Sequence, residues 1–218
     1  MYIYQNNRIP FFSVILSTYN RGYIIDRAIN SVLNQTEQDW ELLIVDDGSK
    51  DNTFEVCSKY FNDGRIRFLF HKNKGLPLSR NVGILSSSGL YCTFLDSDDE
   101  YKENHLEFRR NILLQHPEVD LLYGGVEIMG DPYVVDYYDN SKLIHIDECY
   151  VGGSFFVKKN VAIDLGGFRN IKYGDDVDFA KRAIEEGYCV ASVEYRTYIY
   201  HRDVNDSISK LYAQSIKD

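Results

Sequence analysis

No stretch of the 218-residue chain is apolar for long enough to cross a membrane as a helix. The first residues, MYIYQNNRIP, lack the basic segment and apolar core of a secretory leader, so none is expected. Positive charge is also scarce. With 24 Lys and Arg against 33 Asp and Glu, the formal charge is -9, which excludes a chain that gathers nucleic acid on a basic surface. A small anionic substrate stays compatible, because local Arg, Lys, a bound cation or helix termini override the global sign. The four cysteines, Cys57, Cys92, Cys149 and Cys189, have no C-x-x-C spacing. That excludes a disulfide framework or zinc ribbon and reads as buried thiols in a reducing, cytoplasmic compartment. Neither an internal repeat nor a low-complexity tract is present.

What remains is a chain with 44% hydrophobic residues, enough for one substantial core and short for two, so residues 1–218 read as a single unit. Strands are expected at Phe11 to Ser17, Trp40 to Val45, Ile66 to Phe70 and Leu90 to Leu95. Between them lie a helix with Ile24, Ile25, Ala28, Ile29, Val32 and Leu33 on one stripe, a helix from about Asp51 burying Phe54, Cys57 and Phe61, and a helix from Leu76 to Leu85. This alternation implies an α/β fold, a mostly parallel sheet with helices on both faces. Beyond Asp99, a helix carrying Leu106, Phe108, Leu113 and Leu114 stops at His116-Pro117. Val119 to Met129 reads as strand with a bend at Gly124-Gly125, and the tyrosine-rich Gly130 to Asp147 as a loop or short hairpin over the ligand crevice. Val151 to Val157 reads as a strand, Lys158 to Leu165 as a short helix, Asp176 to Glu186 as a helix and Cys189 to Ile199 as the last strand. With 18 Tyr and 12 Phe, some rings must be exposed, which leaves room for peripheral membrane contact. Pairing as a homodimer is compatible with a domain of this kind.

The chemistry concentrates where apolar runs end. Leu90 to Asp99, LYCTFLDSDD, passes from a buried strand into Asp96, Ser97, Asp98 and Asp99. In an open α/β sheet the ligand crevice lies beyond the carboxyl ends of the strands. Carboxylates there can grip Mg2+ or Mn2+ bound to substrate phosphates; the plainer alternative is that Asp98 or Asp99 caps the next helix. Asp46-Asp47-Gly48-Ser49 ends the second strand in the same way, and Ser17, Thr18, Tyr19, Asn20 and Arg21 follow the first. Asp47 can accept the imide N–H of uracil or thymine, and Tyr19 can pack on a base. In Asn73 to Gly83, NKGLPLSRNVG, Gly75 permits close backbone approach and Arg80 is placed to reach a diphosphate. Gly174-Asp175-Asp176-Val177-Asp178 begins a helix; one acid reads as its N-cap and another as a general base that deprotonates an acceptor hydroxyl. His201, after the last strand, is a candidate third metal ligand or phosphate contact.

With these residues in hand, the chain from Phe12 to about Ser209 resembles glycosyltransferase family 2. SVILSTYNR resembles the family's opening strand and nucleotide loop, IVDDGSKDNT its uracil-contacting segment, and NKGLPLSRNVG its N-x-G-x-x-x-A-R-N-x-G run with Ser79 in place of alanine. Asp96-Ser97-Asp98 is similar to the D-x-D metal motif, which implies Asp98 as direct ligand, Asp96 nearer the ribose or sugar, and Asp99 toward the donor. The segment Gly166 to Tyr188 resembles one that reads Glu-Asp before its helix. Asp175 stands where glutamate is usual, so the implied base is Asp176, with an exchange of roles between the two left open. His201-Arg202 near Ser207 resembles the segment that closes on donor phosphates. The resemblance implies a GT-A fold with a small antiparallel acceptor-side portion. Residues 11–100 would form the nucleotide-binding half, 101–209 the acceptor-side half and 210–218 a tail. It further implies a metal-dependent inverting transferase with Mn2+ or Mg2+, a UDP-sugar donor and a saccharide or lipid-linked saccharide acceptor, as in bacterial surface glycan assembly at the inner face of the membrane. A nucleotidyltransferase and a non-catalytic nucleotide-sugar binder are the two alternatives.

Overall fold

The computed structural model describes residues 9–202 and Tyr212. Ser207 and the 210–218 tail, apart from Tyr212, lie outside the described residues. The first half runs β1 (Phe12–Thr18), α1 (Ile25–Leu33), β2 (Trp40–Asp46), α2 (Thr53–Ser58), β3 (Ile66–Phe70), α3 (Leu76–Ser86) and β4 (Tyr91–Asp96). The second continues with β5 (Glu100–Tyr101), α4 (His105–Gln115), β6 (Leu121–Met129), β7 (Tyr133–Val135), β8 (Leu143–His145), β9 (Phe156–Lys158), α5 (Lys159–Asp164), α6 (Asp175–Glu185) and β10 (Val190–His201). Among the described residues, eight strands form one sheet in the order β3-β2-β1-β4-β9-β6-β10-β5, and β7 pairs with β8 in a separate hairpin. No described helix is long and apolar enough to cross a membrane.

Every residue of β1 and β2 is buried, as expected of parallel strands covered on both faces. Phe12, Val14, Leu16, Leu42 and Ile44 join α1 and α4 in one core layer, whereas Ile15, Leu43, Val45 and Phe94 join α3, α5 and α6 in the other. Because β1 pairs in parallel with β2 on one side and β4 on the other, connections leave β1 in opposite directions. A crevice opens at such a switch point, at the carboxyl ends of the strands. There, Ser17 is in register with Asp96, and Thr18 with Asp46.

Several expectations are corrected. α2 is only six residues long and buries Thr53, Val56 and Cys57. Phe54 and Phe61 instead meet Phe68 in a partly exposed aromatic cluster beside β3, the edge strand of the sheet among the described residues. In α4, Leu106 and Leu113 face inward together with His105 and Arg109, and Leu114 is exposed. The strand expected over 151–157 shrinks to β9, which runs antiparallel between β4 and β6 after a single 3-10 turn at Gly152–Ser154. The bend at Gly124-Gly125 is present: both glycines have positive φ, and the pairing with β10 slips between Val193 and Tyr198.

Candidate functional site

The residues after β1 and β2 are stitched into one rim. Asp46 Oδ1 accepts the Ser49 amide, closing the turn after β2, while the amide of Asn20 donates to Ser49 Oγ and Asn20 Oδ1 accepts the Lys50 amide. Asp47 ties this rim to the start of α3: its two carboxylate oxygens accept the amides of Lys74 at 2.6 Å and Gly75 at 2.8 Å. His71 places Nδ1 3.3 Å from Asp47 Oδ1.

Around this rim lies a cavity of about 1030 Å³. Ser17, Thr18, Tyr19, Asn20, Arg21, Asp47, Arg80, Asp96, Ser97, Asp98, Asp175 and Asp176 all line it, so most of the expected site residues converge on one space. The hairpin β7–β8 forms the facing wall through Val134, Val135, Tyr137, Tyr138 and Ile144, as the crevice-covering reading of 130–147 anticipated. Lys172, Tyr173, Glu148 and Tyr150 also line it and were not singled out from sequence. Their only signal was aromatic and polar composition, which does not distinguish a cavity wall from any other loop. The hydroxyls of Ser17 and Thr18, two of the wall residues, are buried with no hydrogen-bond partner among the described residues.

Two expected members lie elsewhere. Asp99 is fully buried and absent from the cavity wall. The turn made by its amide donating to Asp96 O sends its side chain the other way, where it accepts from Tyr198 Oη at 2.5 Å and from the His201 amide at 2.8 Å. Burial, together with the charges of Asp98 and Asp96, raises its carboxyl well above the usual range. His201 is likewise not a wall residue, and its Nε2 lies 2.8 Å from Glu100 Oε1. Neither Asp98 nor Asp99 caps the next helix, because α4 begins at His105 with Asn104 as its N-cap. The cap of α6 is also not an acid. Gly174, at φ +75°, occupies that position, and a Cβ there would fall 2.1 Å from Cδ2 of Tyr137.

The paired acids at the start of α6 have different partners. Asp175 Oδ2 accepts from Arg80 Nη1 at 3.0 Å, and the other terminal nitrogen of Arg80 donates to Asp96 Oδ1 at 3.0 Å. Asp176 is held by backbone instead: Oδ2 accepts the Gly152 amide at 3.1 Å and Oδ1 the Val177 amide at 2.8 Å. Burial, reinforced by the neighbouring Asp175 charge and opposed by Arg80 and the two amides, pushes the Asp176 carboxyl up to about 7. Burial also raises Asp175, with Arg80 opposing. A carboxyl titrating near neutrality is suited to proton abstraction.

Among the described residues, no three His, Cys, Asp or Glu side chains gather into a protein-only metal cage. Asp96 and Asp98 nevertheless present oxygen donors to the cavity. Mg2+ and Mn2+ commonly use one or two carboxylates together with substrate phosphates and water, so this donor set fits such a cation. Charge argues the same way. The described wall carries seven carboxylates against three cationic side chains, Arg21, Arg80 and Lys172, which leaves it inhospitable to a bare diphosphate.

Comparison with known proteins follows this geometry. The family model described as "Glycosyl transferase family 2" matches residues 13–161. The chain is 39% identical over 125 residues to the UDP-Glc:alpha-D-GlcNAc-diphosphoundecaprenol beta-1,3-glucosyltransferase WfgD of Escherichia coli, a match covering 56% of this chain and 48% of that protein. The chain thus spans about half the length of that relative. Among solved structures, S. aureus TarS 1-349 in complex with UDP-GlcNAc matches with TM-score 0.77 at 21% identity, covering 91% of this chain and 60% of that one. Mannosyltransferase PcManGT from Pyrobaculum calidifontis, in complex with GDP-Man and Mn2+, matches with TM-score 0.71 at 18% identity, covering 97% and 66%. At these identities the two structures speak to the fold alone, and the fold they share with this chain is of the GT-A type.

Proposed function

Because this chain belongs to glycosyltransferase family 2, we propose that it moves a sugar from a UDP-sugar to a hydroxyl of a saccharide or lipid-linked saccharide acceptor. The transfer inverts the anomeric carbon and depends on Mn2+ or Mg2+. The observation that carries this reading is convergence: Asp47, Arg80, Asp96, Asp98 and Asp176, from both halves of the sequence, line one cavity. Residues 11–100 form its donor half in this reading and residues 101–209 its acceptor half.

On the donor side, Tyr19 packs on the uracil and Asp47 accepts its imide N–H. Asp47 also fixes the loop that starts α3, and its oxygens retain lone pairs beyond the two amides they already accept. The free hydroxyls of Ser17 and Thr18 take the polar edge of the nucleoside. Asp98, with Asp96 nearby, would hold the cation, which when bound neutralises the departing diphosphate. On the acceptor side, Asp176 takes the proton of the attacking hydroxyl as its oxygen bonds to the anomeric carbon and the bond to the diphosphate breaks. Asp176 suits this role better than Asp175, whose carboxylate is already paired with Arg80. The acceptor named for the Escherichia coli relative is a GlcNAc-diphosphoundecaprenol. A similar lipid-linked saccharide, met at the cytoplasmic face of a membrane, suits the largely apolar and tyrosine-rich wall formed by β7–β8.

The test is a panel of UDP-sugars incubated with the chain and Mn2+ or Mg2+, read as UDP release with and without saccharide acceptors. Release is expected for one donor, lost on chelation by EDTA and restored by adding the metal. Pyrophosphate release from UTP would instead make it a nucleotidyltransferase, and donor binding with no turnover a non-catalytic binder.

A further inference from the structure

Arg80 lies on α3 with its side chain 4% exposed, and its fork is already engaged. Nη2 donates to Asp96 at the end of β4 and Nη1 to Asp175 at the start of α6. The guanidinium carbon lies 5.2 Å from the ring centre of Phe168 and 5.8 Å from that of Phe94. Gly152 closes the remaining side: a Cβ there would come within 2.8 Å of Nη1, so a larger residue would press on the guanidinium. The neighbouring Asn81 pins the wall, donating to the Phe168 carbonyl at 2.8 Å and accepting its amide at 2.7 Å. Among the described residues Nε has no partner, but it is buried away from the cavity, so a phosphate would have to compete with Asp96 and Asp175 for the edge formed by Nη1 and Nη2, weakening the hold on a carboxylate.

Resting on the transferase reading above, we propose that Arg80 is a positioning residue and not a phosphate contact. It clamps the donor-side carboxylate Asp96 to Asp175 and so sets the span between the donor and the base, Asp176. The clamp joins chain segments far apart in sequence, since Arg80 and Asp175 are separated by 95 residues. It also sets the charge around Asp176. The groups facing that carboxyl are Asp175 on α6, Arg80 on α3 and the Gly152 amide, while Cys149 and Tyr173 sense its charge from the opposite wall. Removing the Arg80 cation therefore makes Asp176 harder to ionise, and removing the Asp175 anion makes it easier.

The experiment compares wild type with Arg80→Met, Arg80→Lys and Asp175→Asn. Calorimetry reports binding of UDP and of uridine with Mn2+, and UDP release from the preferred UDP-sugar is followed from pH 5 to 9. Expected for Arg80→Met is a UDP affinity within about 3-fold of wild type, a kcat lower by about 10²-fold and an acid limb moved to higher pH. Asp175→Asn should move that limb the opposite way. Arg80→Lys keeps the charge but loses the fork, so its limb should stay near wild type while kcat falls; it carries the contrast if Arg80→Met does not fold by circular dichroism. A loss of UDP affinity of tenfold or more with uridine binding intact would make Arg80 a phosphate contact and overturn the clamp. So would limbs moving in the same direction in Arg80→Met and Asp175→Asn. Wild type that binds UDP but never turns over would defeat the transferase reading alone, leaving the clamp to be judged by the binding data. Wild type that binds no UDP would defeat both.

Discussion

Asparagine at position 176 should abolish turnover and yet, in alkaline solution, stabilise the fold. Burial and the Asp175 charge push the Asp176 carboxyl from an ordinary 3.8 to about 7. A carboxyl whose pKa is raised on folding holds its proton more tightly in the folded chain. Its contribution to stability is therefore complete below about pH 4 and lost as pH rises through about 7. Each pH unit of that interval is worth about 1.4 kcal/mol, a ceiling of about 4 kcal/mol. Asp176 is only half-buried and lines an open cavity, so solvent screening reduces this to about 2 kcal/mol. Asp176→Asn has no proton to lose and escapes the penalty. It gives up one of the two amide bonds from Gly152 and Val177, because an amide has a single acceptor oxygen, at a cost of about 1 kcal/mol. Asp175 is present in both proteins and its contribution largely cancels. The variant should thus be about 1 kcal/mol less stable than wild type at pH 3.5 and about 1 kcal/mol more stable at pH 8.5, by subtraction of these two effects. For a chain of this size, the swing corresponds to about 4–8 °C in the difference between the two Tm values. Thermal unfolding of both proteins at the two pH values, without cation or nucleotide, measures it directly. A Tm difference that does not change with pH would refute the shifted carboxyl, and retained UDP release would remove Asp176 from the role of base.

Gly174→Ala places a Cβ against the Tyr137 ring and forces φ +75° on a residue that resists it, so unfolding measurements should show a loss of about 2–5 kcal/mol. Adding Tyr137→Ala should recover only the steric part. Asp99→Asn leaves a donor facing either Tyr198 Oη or the His201 amide, costing about 1–3 kcal/mol in urea unfolding. Because Asp99 does not line the cavity, calorimetry should find its UDP affinity close to wild type, and a large loss would return Asp99 to the donor site.

The nucleotide half was the most legible part of the chain. β1, β2 and β4 are buried on both faces, so their apolar runs are continuous, and the polar residues that follow them sit at strand ends almost by construction. What a run of acids does not reveal is the direction of each side chain once the strand has ended. Asp96 and Asp98 face the cavity while Asp99 turns into the core, a distinction made by one turn hydrogen bond and by the arrival of Tyr198 from β10. The position of His201 after a strand likewise said nothing of Glu100, which β5 brings alongside by pairing antiparallel with β10. The covering hairpin was visible as a tyrosine-rich segment that keeps apolar residues, but its grip on Gly174 was not. Arg80 marks the limit most sharply. Its charge, its helix and its place near the crevice were readable locally, and they suggested a diphosphate. Beside Asp96, its second partner Asp175 is delivered by α6, and the Gly152 turn that packs against it leads into β9, which reverses direction between two strands that would otherwise have been taken as neighbours. A cation near a binding crevice is therefore ambiguous until the chain's own anions have been placed, because a carboxylate fixed by the fold occupies the fork before any ligand arrives.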